Sequence, residues 1–225
     1  MSVQLHRQDV HASNLANAST VGYRRSDVTV GSFETALGQA ASAGTPQPIG
    51  RATVVDVAQG PIHETGTAYD LALDGPGMFT LLTPDGMRHT RDGRLHQDAA
   101  GRLLGISGNQ VMGKDGPVTM PGGEFFVTEA GQVFSEGQFV DQLFIAEFEA
   151  SDELTRTANG LFEISGGPRL AENTTVRQGC VEEANVSVVR EMAQMMTGFR
   201  AFEASAAALR LNDQTLSTLI EATGS

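Results

Sequence analysis

The chain has 225 residues, enough to bury a core, and with no Trp and eleven Phe that core has to come mainly from Val, Leu, Ile, Ala, Met and Phe. A formal net charge of -12, with Lys114 the only lysine, leaves no basic surface to neutralise phosphates or hold an anionic membrane, which argues against nucleic-acid binding. Cys180 is the single cysteine, so an internal disulfide framework and a multi-cysteine zinc site are excluded, and it reads as a small buried residue.

At the start of the chain His6, Arg7 and Asp9 interrupt the stretch where a secretory signal peptide would need unbroken apolar residues. No later segment is apolar for long enough to span a bilayer, so the expectation is a soluble protein without membrane insertion. Leu5, Ala12 and Leu15, with Val3 and Val10 on an adjacent line, predict a helix that stops near Asn17 in a run of Asn, Ser, Thr and Gly. A helix this short is marginal in water, so it is expected to pair with the C-terminal helix of its own or a neighbouring subunit. Residues 1–30 are therefore assigned to this helix and its Asn/Gly turn. Residues 31–60 come next as a linker and connecting strand: residues 38–50 are small, uncharged and proline-containing, and residues 51–57 alternate loosely as a strand leading into the glycine-rich middle of the chain.

Glycine then becomes dense, with 15 of the 26 lying between Gly60 and Gly137, and the chain turns often. Short runs such as Tyr69-Asp-Leu-Ala-Leu73, Met78-Phe-Thr-Leu-Leu82 and Leu143-Phe-Ile-Ala-Glu-Phe148 are punctuated by Asp74-Gly75, Asp85-Gly86, Asp92-Gly93 and Asp115-Gly116. Residues 61–179 are accordingly expected to form a central all-β domain of many short strands.

Only two glycines, Gly198 and Gly224, come after Asn185, and residues 180–225 read as a long helix. Val188, Met192, Met195, Phe199, Phe202, Ala206, Leu209, Asp213, Leu216 and Ile220 recur at alternating spacings of four and three. Arg190, Glu191, Arg200, Glu203, Arg210 and Glu221 fall off that stripe. Asn185 or Ser187 is the expected N-cap and Gly224 the stop. Such a helix outreaches one small β domain, so part of its seam needs another partner. The fold class expected is α+β, with terminal helices packing together in a coiled-coil-like assembly around a central all-β domain.

Catalytic constellations are not evident. There is no phosphate-binding loop, no His-Glu-x-x-His and no Gly-x-Ser-x-Gly, and His6, His11, His63, His89 and His96 are scattered without zinc-ligand spacing. No catalytic, cofactor-binding or metal-binding residue is therefore named, and no cofactor is expected. The Met192, Met195, Met196, Phe199 and Phe202 group reads as a packing seam rather than a small-molecule groove.

Three motifs carry a resemblance. Asn14-Leu-Ala-Asn-Ala-Ser-Thr-Val-Gly-Tyr-Arg-Arg25 resembles a signature of flagellar axial proteins, the rod and hook subunits, with Asn14, Leu15, Ala16, Asn17, Thr20 and Gly22 as its matching positions. Gln59-Gly60, Thr65-Gly66, Asp70-Leu-Ala-Leu-Asp-Gly-Pro-Gly-Met-Phe79 and Thr90-Arg-Asp-Gly93 resemble a second. Gln178-Gly-Cys-Val-Glu-Glu-Ala-Asn-Val-Ser-Val-Val-Arg-Glu-Met192, continued by Phe199-Arg-Ala-Phe-Glu203, is similar to a third, with Gln178, Gly179, Asn185 and Val186 matching. Ser13 and Ala184 stand where the family usually has Asn and Ser, and the family usually carries several more turns of helix ahead of Gln4. Within the flagellar basal-body rod family, Asn159-Gly-Leu-Phe162 resembles the proximal-rod branch more than the distal-rod branch, whose Gly-rich stretch before Gln178 is absent.

The resemblance implies a structural, non-enzymatic subunit of the proximal rod that transmits torque and lines an export channel. Its implied partners are other rod and hook subunits, in homo- and hetero-oligomeric contact within a helical tube, and transiently the flagellar type III export apparatus, which needs no cleaved signal peptide. Its implied place is the periplasm-spanning rod of the basal body. The alternatives are a distal-rod or hook-type protein of the same family or, from another class, a secreted β-domain enzyme or binding module.

Overall fold

The computed structural model describes residues 2–30, 51–148, 154–157, 160–165, 169–171 and 173–223, with some side chains left out, chiefly near the C-terminus. The expected linker at residues 38–50, the stop at Gly224 and the motif residue Asn159 lie outside the described residues, as do the side chains of Leu209, Leu216 and Ile220.

The chain divides into two compact units. The first contains helix α1 (Ser2–Ala16), strand β1 (Ser26–Val30) and all but the last residue of β2 (Arg51–Val55), the two strands pairing as a two-stranded sheet, and helix α2 (Val188–Thr223). The pattern at residues 51–57 thus yields a strand that pairs with β1, a partner that the local pattern does not announce. Ser187 takes the N-cap position of α2, since its carbonyl accepts from the Glu191 amide at 3.0 Å. At 36 residues α2 is about 54 Å long at 1.5 Å per residue.

The second unit comprises Asn17–Arg25 and Val55–Val186. Its centre is β5 (Met78–Thr83), which pairs along one edge with β6 (Gly86–Thr90). The other edge is shared by β13 (Ile145–Glu147) at its start and β9 (Gln110–Val111) at its end. The strands are short because turns interrupt them: Thr83 pairs with Gly86 across a two-residue hairpin at Pro84-Asp85, where Gly86 has φ +111°. A separate three-stranded sheet runs β10 (Phe125–Val127), β11 (Gln132–Ser135), β12 (Gln138–Gln142). Alternation sends Phe125, Val127 and Val133 inward to a core shared with Leu71, Leu73, Phe79, Leu81, Leu103 and Val176. Phe125 stacks on Tyr69 with ring centroids 4.7 Å apart. Two further pairs close the unit: β4 (Leu71–Asp74) with β17 (Thr175–Gln178), and β3 (Ile62–Glu64) with β18 (Cys180–Glu182).

The coiled-coil-like packing of terminal helices is not what forms. Among the described residues there are two helices, one short and one long, and most of the remaining regular structure is strand. An α+β class describes the chain, but the expected seam does not join α1 to α2. Val188, Met192 and Phe199 are 40%, 50% and 54% exposed. The line that faces α1 passes instead through Glu191, the Met195 carbonyl and Gly198, where an added Cβ would sit 3.0 Å from the Gln8 amide nitrogen. A glutamate and a glycine supply no knobs for a heptad seam, so this contact is polar and close rather than interdigitated.

Candidate assembly site

The first motif shapes the exit from α1. The Thr20 amide donates to the Asn17 carbonyl at 3.0 Å and its hydroxyl to the Asn17 side chain at 3.3 Å, turning the chain back on itself. Gly22 completes the turn at φ +69°, and a Cβ there would lie 2.4 Å from the Asp92 backbone nitrogen, so only glycine fits. Its amide donates to the Glu182 carbonyl at 2.7 Å, which carries the next residues past β18.

There Arg24 meets Glu182. Arg24 Nη1 donates to Glu182 Oε1 at 2.6 Å and to the Ala58 carbonyl at 2.7 Å, while Arg91 Nη1 donates to Glu182 Oε2 at 2.9 Å. The Gly60 amide also donates to Oε1, at 2.7 Å, and Arg91 Nη2 to the Gly75 carbonyl. Gly60 approaches so closely that an added Cβ would fall 2.1 Å from the Glu183 carbonyl oxygen. One carboxylate thus holds two guanidiniums, and all three side chains are at most 1% exposed. Burial pushes the Arg91 guanidinium down to about 10, with Arg24 adding to the shift and Glu182 opposing it. At neutral pH it still carries its proton, and the forked guanidinium suits it to bridging a carboxylate and a carbonyl at once. No substrate reaches this carboxylate, so its role is to tie backbone segments rather than to move protons.

Amide side chains do similar work nearby. Asn185 Nδ2 donates to the carbonyls of Asp56 at 3.0 Å and Ala58 at 2.8 Å, and its Oδ1 accepts from the Arg25 amide at 2.5 Å. Gln178 donates to the carbonyls of Ala68 and Phe125 at 2.8 and 3.1 Å and accepts from the Val127 amide at 3.1 Å. The Arg25, Asp56, Phe125 and Val127 backbone groups among these are buried or half-buried, and leaving them unpaired would be costly. Arg156 lies over the Tyr23 ring, 4.3 Å from its centroid, and donates to the Arg24 carbonyl.

In the first unit, Asn14 exchanges two hydrogen bonds with the Ser26 backbone, at 2.8 and 2.9 Å, and its Nδ2 reaches Glu191 Oε2 at 3.4 Å. His11 Nδ1 is 2.6 Å from the same oxygen. Asn14 and Glu191 are fully buried, so this polar knot fixes α2 against α1 and β1.

Motif position singles out Asn14, Asn17, Thr20, Gly22, Gln178, Gly179 and Asn185, and each shapes backbone locally or over distance. It gives no role to Arg24, Arg91, Glu182, His11 or Glu191, and the helical stripe sets Glu191 among the residues outside the seam. A signal is nonetheless present: each of the three motifs contributes one member of the ion triad, Arg24, Arg91 and Glu182 in chain order. Among the described residues no group of three or more His, Cys, Asp or Glu is placed to hold a metal, and no helix is long and apolar enough to cross a membrane.

Residues 177–222 match the sequence profile of the flagellar basal body rod FlgEFG protein C-terminal region, and residues 1–24 that of the flagella basal body rod protein. The flagellar basal-body rod protein FlgF of Mesorhizobium japonicum is 31% identical, over 97% of this chain and 92% of its own. FlgF of Escherichia coli is 31% identical over 90% and 86%, and FlgG of Bacillus subtilis 28% identical over 94% and 91%. Motifs, profiles and near full-length relatives converge, and the chain belongs to the flagellar basal-body rod protein family, a family of structural subunits of the basal body rather than of enzymes.

Proposed function

We propose that this rod subunit works in the proximal rod, joining other rod and hook subunits in a helical tube that transmits torque and lines the export channel. It contacts the flagellar type III export apparatus in passing, is exported without a cleaved signal peptide, and takes its place in the periplasm-spanning part of the basal body. The assembly surface is the outer side of α2, with Val188, Met192 and Phe199 at its N-terminal end. The seam residues Met195, Phe202, Leu209, Leu216 and Ile220 extend the same helix toward neighbours.

The observation that carries this reading is the exposure of α2. Val189, Met196, Phe199 and Leu211 are 79%, 59%, 54% and 63% exposed, spread over several turns of one helix. Apolar area of this extent on a single helix supports a surface that protein partners cover. The FlgF relatives at 31% identity support the proximal rod in particular.

Quantitative mass spectrometry of purified hook–basal bodies tests the proposal. The chain should be recovered in several copies per particle, and cells lacking it should assemble no hook and not swim. Background amounts in the particles, together with normal swimming of the deletion strain, would reject it.

A further inference from the structure

The three-stranded sheet β10–β11–β12 has an outer face as distinctive as its inner one. Phe126, Phe134 and Phe139 occupy successive strands, with Phe126 opposite Phe134 and Phe134 opposite Phe139. Their rings form a ladder with centroids 6.4 and 5.8 Å apart, the second contact edge-on. The hairpin at Glu136-Gly137, with φ of +50° and +75°, holds the last two strands in this register. Phe126 and Phe139 are 54% and 55% exposed. Beside Phe126 opens a groove of about 640 Å3, lined also by Glu64, Glu129, Arg177 and Gln178.

The connections that flank this ladder are acidic. From Pro121 to Gln142, which spans the three strands, the chain carries no Lys, Arg or His but four acidic residues, Glu124, Glu129, Glu136 and Asp141. Glu124, Glu129 and Glu136, on the connections that flank these strands, are exposed, and Arg177 is the counter-charge at the groove.

We propose that this sheet face is a docking surface for a protein partner whose own surface sets a basic rim around an apolar centre. Aromatic side chains that are exposed in the free chain and ringed by charge are the residues that anchor interfaces, and the sign of the rim selects the partner. A second copy of this face would bring acid against acid, and an anionic lipid surface is repelled for the same reason. The sheet belongs to the second unit and α2 to the first, so its partner is additional to the neighbours proposed for α2.

The test is photo-cross-linking in whole cells from p-benzoyl-phenylalanine placed at Phe139 of the full chain, which reads the sheet's partner whether or not the chain is in the basal body. The adducts are digested and sequenced. The expected result is one protein partner, joined through a surface segment that bears Lys or Arg. Adduct yield should fall several-fold when Phe126→Ser is added, and again with Glu124→Gln, Glu129→Gln and Glu136→Gln together. No adduct, an adduct with a second copy of this chain or with lipid, a partner segment without basic residues, or a yield indifferent to the three Gln substitutions would overturn the proposal.

Discussion

The core of the β-rich unit and helix α2 treat apolar side chains in opposite ways. In the former Leu71, Phe79, Leu103 and Phe162 are at most 1% exposed, whereas on α2 Val189 and Leu211 are mostly in solvent. The β-rich unit closes a core of its own, and a charge within it is covered too, because Glu182 has two arginines and a backbone amide around it. The helix is fixed at its N-terminal end by a polar knot of Glu191, His11 and Asn14, and beyond that knot Met192, Met196, Phe199 and Leu211 are exposed.

The largest effect on folding is expected from breaking the triad. Glu182→Gln removes the carboxylate and leaves two buried guanidiniums facing each other, so the chain should lose about 3–5 kcal/mol of stability in urea titration. A loss under about 1 kcal/mol would mean that the arginines find other partners. A smaller change is expected at Asn185. Asn185→Ala takes the side-chain partner from the Arg25 amide and the Asp56 carbonyl, while the Ala58 carbonyl keeps Arg24, and should cost about 1–3 kcal/mol with the far-ultraviolet circular dichroism unchanged. Both substitutions act within the second unit, so both should be visible in the isolated chain.

Much of this architecture is legible in the amino-acid sequence. Local signals place both helices, because the period of Leu5, Ala12 and Leu15 and of Val188 to Phe202 is a property of neighbouring residues. Asp-Gly and Gly punctuation likewise announces short strands, and Asp85-Gly86 does sit at the β5–β6 hairpin. Packing is not legible where it depends on residues far apart in the chain. Glu182 is 158 residues from Arg24 and 91 from Arg91, and no periodicity records such a pairing. Glu191 misleads for a related reason: a charge beside an apolar stripe reads as solvent-facing, and only the tertiary partners His11 and Asn14 reverse that. Strand β1 escapes notice because its pairing with β2 is likewise non-local.

The central claim is that α2 keeps its open face for assembly while the chain folds without it. It is tested most directly by Phe199→Asp, read in two assays on the same variant. Phe199 is 54% exposed, so the isolated chain should change by less than about 0.5 kcal/mol in its melting free energy. In cells an unpaired charge would enter a buried contact, and the variant should be missing from purified hook–basal bodies and the cells should not swim. A variant that incorporates at wild-type level and supports swimming, or one that unfolds the isolated chain, would contradict the account.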